Sequence, residues 1–228
     1  KFARRDIFYR LLLRCEGWSY RLADVAIVTN ESYHQIALSR DGMTPDKVFV
    51  VRNGPDLVRM RPRPGAAEWK KGRRFGVGYV GVMGRQEGLH HLLAAVDHLV
   101  HGQKRQDIQF LCIGDGPERR HLMDLARELD IAGYVSFPGR LPDEQMVAAL
   151  CAADLCVNPD DANELNDKST MLKIVEYMAL GKPIVQFDLT EGRISAQDAA
   201  IYAKPNDPID LGAKITALLD DPDARQRM

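Results

Sequence analysis

Between residues 75 and 219, short apolar runs alternate with stretches in which apolar residues return every three or four positions. Strands are read at 75–84 (FGVGYVGVMG, ending in glycines), 108–114 (IQFLCIG), 134–140 (YVSFPGR, strand and turn), 154–157 and 184–187 (IVQF), the last a short continuous apolar run. That is the pattern of strands covered on both faces of a parallel sheet. A weaker strand is expected at 200–203. Residues 87–101, 118–129, 143–153 and 208–219 carry helical spacing between them. Strands alternating with helices of this length imply crossover units and a parallel sheet.

Residues 158–188 contain half of one such unit. A polar, turn-rich loop runs into Ser169, and Met171, Ile174, Val175 and Met178 are expected to share the apolar face of the helix that follows. Gly181 reads as its C-cap, and Pro183 opens the next strand. The N–H groups of Ser169, Thr170 and Met171 would then face the crevice at the carboxyl ends of the strands, a ready anion site. Glu176 interrupts the apolar stripe of Leu172, Ala179 and Leu180. Such a carboxylate either sits half-solvated at the helix edge or borders a cleft, and spacing alone favours the first.

The N-terminal pattern is different. Residues 1–22 read as a helix, with Phe2, Ile7, Phe8, Leu11, Leu12, Cys15 and Trp18 at helical spacing and Arg4, Arg5, Arg10 and Arg14 between them. A packed helix with a basic outer face is favoured over one lying on a membrane. Strands are expected at 24–29 and 47–52, around a helix at 31–40. A Pro- and Arg-rich run, RMRPRPG, follows at 59–65. The expected organisation is a first domain over 1–58, a linker over 59–74 and a second α/β domain over 75–228. Lys1 at the start and a helical pattern broken off at the end suggest that the chain is part of a longer protein, its second domain truncated at the C-terminus.

Composition changes this picture little. The chain has 228 residues, 45% hydrophobic and 28% charged, an ordinary globular profile. No apolar run approaches the ~18 residues of a membrane-spanning helix. Residues 1–74 carry 16 Lys/Arg against 8 Asp/Glu, and the remainder 15 against 24. The basic part leaves room for peripheral membrane association, though a solvated face is the favoured reading. Cys15, Cys112, Cys151 and Cys156 show neither paired nor metal spacing, which points to reduced thiols and a cytoplasmic setting, with the inner membrane face as its possible limit.

Candidate chemistry is sparse. Gly76, Gly78, Gly81 and Gly84 do not form the dinucleotide fingerprint, and the first two lie at the wrong end of their strand. His90, His91, His98 and His101 crowd one helix, but its leucines and valines define the core face and leave the histidines on a solvated one. Asp160 and Asp161 read as turn formers. No catalytic residue can be assigned, and no metal or cofactor is expected.

Several motifs together resemble a known family: Asn53-Gly54 with Asp56 after a strand, the Gly81–Gly84 turn, GDGPE at 114–118, FPGR at 137–140 and STMLKIVEYMALGKPIVQFD at 169–188. They resemble the retaining glycosyltransferases of family 4, the group 1 glycosyl transferases, with the GT-B fold. The resemblance spans nearly the whole chain. It implies a Rossmann-like parallel sheet with helices on both faces as the donor domain, preceded by the end of a second α/β acceptor domain. The implied function is transfer of a sugar from a nucleotide-sugar donor to a saccharide or lipid-linked acceptor, with retention, in surface polysaccharide biosynthesis. No nucleic-acid partner is expected, and this chain alone is expected to be inactive.

The resemblance also implies site residues. Val82, Met83, Gly84 and Arg85 would approach the donor diphosphate, Arg140 and Leu141 the base, and Ser169, Thr170, Met171 and Leu172 would offer N–H groups to the phosphates. Glu176 matches the second Glu of the family's E-x7-E motif and would bind the ribose. Lys168 stands in place of the first Glu, and Val82 and Glu87 replace the usual basic pair, so Arg85 and Lys168 would supply the positive charge. A sugar-nucleotide epimerase or hydrolase, or a non-catalytic binding module, are the alternatives.

Overall fold

The computed structural model describes residues 7–39 and 43–228. Phe2, Arg4, Arg5 and residue 40, which figure in the expected N-terminal helices, lie outside the described residues. Backbone contacts divide the chain into a small unit, residues 1–53 with 168–170, and a large one, residues 54–167 with 171–228.

In the small unit, α1 (Ile7–Leu22) and α2 (Glu31–Ser39) accompany β1 (Ala26–Val28) and β2 (Val48–Val50), which pair in parallel. The expected packing of α1 is slight. It buries none of its residues, and Ile7, Leu12 and Leu22 are each more than half exposed. Among the described residues, the two three-residue strands, α2 and Met43 form a small core of Ala37, Met43 and Val48, and α1 reaches it through Tyr20. Residues 168–170 join this unit through Asn30, which is fully buried. Its Nδ2 donates to the Lys168 carbonyl at 2.9 Å and to Thr170 Oγ1 at 3.0 Å, and the Tyr33 hydroxyl lies 3.0 Å from Ser169 Oγ.

The large unit is built on six parallel strands: β3 (Phe75–Val80), β4 (Ile108–Ile113), β5 (Val135–Gly139), β6 (Leu155–Asn158), β7 (Ile184–Phe187) and β8 (Ala200–Ala203). Their order is β5-β4-β3-β6-β7-β8. The chain lays strands outward from β3 in one direction, returns to the centre at β6 and continues in the other. Strands β3, β4, β6 and β7 are buried along nearly their whole length, as the apolar runs predict. One face packs with α3 (Leu89–Asp97), α4 (Arg119–Glu128) and α9 (Pro208–Asp220). The other packs with α5 (Asp143–Ala152) and α7 (Leu172–Ala179).

Residues 59–74 group with this unit. Met60 is buried in the second core, the Ala66 N–H donates to the Ala148 carbonyl, and Lys70 pairs with Asp154 at 2.8 Å. Helices α6 (Glu164–Asp167), α8 (Thr190–Ala196) and α10 (Pro222–Arg227) complete the fold. The first two were not expected. They are too short to show a period, and side chains start them: Asn163 Oδ1 accepts from the N–H groups of Leu165 and Asn166, and Asp167 Oδ1 accepts from Thr190 N–H. All four cysteines are free.

Candidate functional site

The sheet reverses direction of growth between β3 and β6, and in open parallel sheets the ligand crevice lies outside the carboxyl ends at that point. Three segments of the large unit meet there: the glycine turn after β3, the loop after β6 and the start of α7. The turn is braced from both sides. Met83 N–H donates to the Asp115 carbonyl at 3.0 Å, and Glu118 N–H to the Met83 carbonyl at 2.9 Å. From below, the Tyr79 hydroxyl donates to the Val82 carbonyl at 2.8 Å. Gly88, with φ +63°, passes so close to the loop after β6 that a Cβ would lie 1.8 Å from the Pro159 carbonyl oxygen.

An ion cluster that the sequence patterns did not reveal ties these segments together. Lys173 Nζ lies 2.7 Å from Asp160 Oδ1 and 2.9 Å from Glu87 Oε2, and 5.1 Å from the centre of the Tyr79 ring. Asp160 is therefore no simple turn former: it is 1% exposed, and its Oδ2 accepts no hydrogen bond. Burial pushes its carboxyl up to about 6, against the pull of Lys173. Burial also acts to lower the Lys173 ammonium, but Asp160, Tyr79 and Glu87 outweigh it and hold the charge. The signal that could have found Lys173 is its place at i, i+4, i+7 with Tyr177 and Leu180, the stripe that α7 actually buries.

Helix α7 departs from expectation in two ways. It begins at Leu172 with Met171 as N-cap, so Ser169 and Thr170 do not form its first turn. The N–H groups of Leu172 and Lys173 have no helical carbonyl behind them and face the carboxyl edge. Its inward face is Lys173, Ile174 and Tyr177, while Met178 is 40% exposed. The Tyr177 hydroxyl anchors that face, accepting from Val80 N–H at 2.9 Å. The C-terminus follows the sequence: Gly181 takes φ +62°, its N–H donates to Met178 and that of Lys182 to Tyr177, a Schellman cap.

The other expected site residues fall as follows. Val82 and Arg85 are exposed at the turn, Gly84 is half-buried, and Met83 is fully buried as a core residue. Arg140 is exposed after β5, and Leu141 packs against the second core. Leu172 is exposed, Met171 half-buried. Lys168, Ser169 and Thr170 belong to the small unit. Glu176 is half-buried, with Oε1 3.4 Å from Arg59, whose Nε lies 2.9 Å from Asp143 Oδ2. Burial raises the Glu176 carboxyl, Arg59 opposing. The histidines also differ from expectation. His91 is only 18% exposed in its side chain, edge-on to Phe187, and 3.1 Å from Asp161 Oδ1.

A doubly wound parallel sheet with a braced glycine turn and a helix start at its switch point defines a Rossmann-like α/β domain. The family model described as "Glycosyl transferases group 1" matches residues 74–221, and the chain belongs to that family. It is 26% identical over 229 residues to 2-deoxystreptamine glucosyltransferase of Streptomyces kanamyceticus, covering 95% of this chain and 56% of that protein. It is 29% identical over 220 residues to glycogen synthase of Mycobacterium tuberculosis, covering 93% and 49%. Among solved structures, Anabaena Alr3699/HepE in complex with UDP superposes with a TM-score of 0.79 at 20% identity, over 96% of this chain and 61% of that one. This last likeness is one of fold. The chain spans about half the length of the curated relatives it matches. Among the described residues, no helix is long and apolar enough to cross a membrane.

Proposed function

We propose that the large unit binds the nucleoside diphosphate of a nucleotide-sugar donor. The whole protein would transfer the sugar, with retention, to a saccharide or lipid-linked acceptor in surface polysaccharide assembly. The observation that carries this is a coincidence of place: the family match over 74–221 falls on the unit whose glycine turn and α7 start meet at the switch point of the sheet. A leaving diphosphate gains negative charge as the sugar departs. The N–H groups opening α7 and the Arg85 guanidinium favour that charge, so the transfer step is assigned no metal.

In this reading Val82, Met83, Gly84 and Arg85 approach the diphosphate with Met171 and Leu172, and Arg140 and Leu141 lie beside the base. Glu176 accepts the ribose hydroxyls. The resemblance adds Lys168, Ser169 and Thr170 on the phosphates. A second reading, a non-catalytic nucleotide-binding module, is favoured by one feature, Lys168 in place of the family's first Glu.

The test is calorimetry and thermal shift on this chain with UDP, GDP and ADP and their sugars. One nucleoside diphosphate is expected to bind saturably without sugar transfer by this chain alone. Glu176→Ala is expected to weaken it by about tenfold, the loss of one charge-assisted hydrogen bond, at an unchanged melting temperature. Absence of saturable binding to any nucleotide would overturn the proposal, and unchanged affinity in Glu176→Ala would remove that residue from the site. Donor binding by a longer form that never turns over would favour the second reading.

A further inference from the structure

We propose that His90, His91 and Asp161 form a binding site for one divalent transition-metal cation of the zinc class, a cation that plays no part in sugar transfer. The three donor atoms lie within 4.8 Å of one another. Asp161 Oδ1 is 3.1 Å from His91 Nε2 and 3.5 Å from His90 Nε2. Ligand atoms around a tetrahedral zinc stand about 3.3 Å apart, given metal–ligand distances of about 2.0–2.2 Å. The two separations from Asp161 Oδ1 bracket that figure.

A second observation is the burial of Asp161 Oδ1 between the two imidazole nitrogens, where no hydrogen bond of good geometry reaches it. A cation that all three atoms ligate would satisfy that acceptor.

The surroundings hold the ligands in place. Asp161 N–H donates to the Gln86 carbonyl at 3.0 Å, and the Asp161 carbonyl accepts from Asn166 Nδ2 at 2.9 Å. Asn166 Nδ2 also reaches the Gln86 carbonyl at 2.8 Å, so the loop after β6 is fastened to the glycine turn. The His91 ring is fixed edge-on to Phe187. His90 lines a cavity of about 360 Å³ shared with Gly84 and Arg85 of the glycine turn and with Glu118 and His121, which gives a cation and its remaining water ligands a way in. Bound there, the cation would cross-link the N-terminal turn of α3 to the loop after β6.

The experiment titrates this chain, stripped with chelator and exchanged into chelator-free buffer, with Zn²⁺ by calorimetry and with Co²⁺ by visible absorption. The variants are His90→Gln, Asp161→Asn and, as a control on the same helix, His98→Gln with His101→Gln. One Zn²⁺ per chain is expected, with a raised melting temperature and Co²⁺ bands in the visible. His90→Gln and Asp161→Asn should each weaken binding at least tenfold, and the control should leave it unchanged. His90 is the outermost ligand, so its variant is expected to keep the fold even where Asp161→Asn does not. No saturable binding, or binding indifferent to His90→Gln, would overturn the proposal. Nucleotide binding measured in chelator is expected to be unaffected, which keeps this outcome separate from that of the proposed function.

Discussion

Lys173 and Asp160 face each other at 2.7 Å in the interior of the large unit, one 9% and the other 1% exposed in its side chain. The ammonium comes from α7, its first carboxylate from the loop after β6 and its second, Glu87, from the turn after β3. Each segment that borders the crevice therefore contributes one charge to the same cluster.

Removing the ammonium alone is expected to be severe. Lys173→Met leaves Asp160 buried beside Glu87 without a counter-charge, a loss of about 3–5 kcal/mol for a buried pair broken on one side. Lys173→Met combined with Asp160→Asn removes both charges and should recover more than half of that loss. Urea unfolding of the two single variants and the double variant measures it. A double variant no more stable than Lys173→Met would show that the pair is not the dominant interaction of either residue.

The same cluster predicts a pH dependence. Burial raises the Asp160 carboxyl from 3.8 to about 6, so the folded chain takes up this proton more readily than the unfolded one. The contribution is complete below the unfolded value and is lost as pH rises through the folded one. The unfolding free energy of the wild type minus that of Asp160→Asn should therefore fall between pH about 4 and about 6 and level off above. A difference that rises over this window would contradict the assignment.

Gly88 offers a test of the turn without touching a charge. A side chain there needs both a left-handed backbone and space occupied by the Pro159 carbonyl. Gly88→Ala is expected to destabilise by about 2–5 kcal/mol, summing the two effects. Gly133→Ala, which meets nothing within 4 Å, is the control and should stay near wild type. Thermal unfolding of both variants decides; equal melting points would show that the loop after β6 yields freely.

Sheet and site were not equally legible in the sequence. Strands β3, β4, β6 and β7 stand out because burial on both faces leaves largely apolar runs, and Gly181 announces the end of α7 by backbone chemistry alone. Helices α6 and α8 do not, because they are held by Asn163 and Asp167 rather than by a period of their own. Lys173 escaped for a different reason. A charged residue in a helical pattern reads as solvated, and its two partners lie far from it in the chain, so neither spacing nor composition marks them. Asp161 and His91 were hidden in the same way, since only the return of the chain at β6 brings the loop against α3.

That return has a kinetic meaning as well. The central seam pairs β3 with β6 through Val77 with Leu155 and Gly78 with Cys156, with the Asp154 N–H to Gly76 carbonyl bond just before them, residues widely separated along the chain. Contacts of such sequence separation form late, because the entropy of closing the loop comes before any reward. The strand pairs β3–β4 and β6–β7 can assemble around their own crossovers beforehand. Until the seam closes, the glycine turn and the loop after β6 belong to separate halves and there is no crevice. The capacity to hold a ligand is then acquired in the last step of sheet assembly, and amide exchange at Gly78, which faces β6, would report its opening.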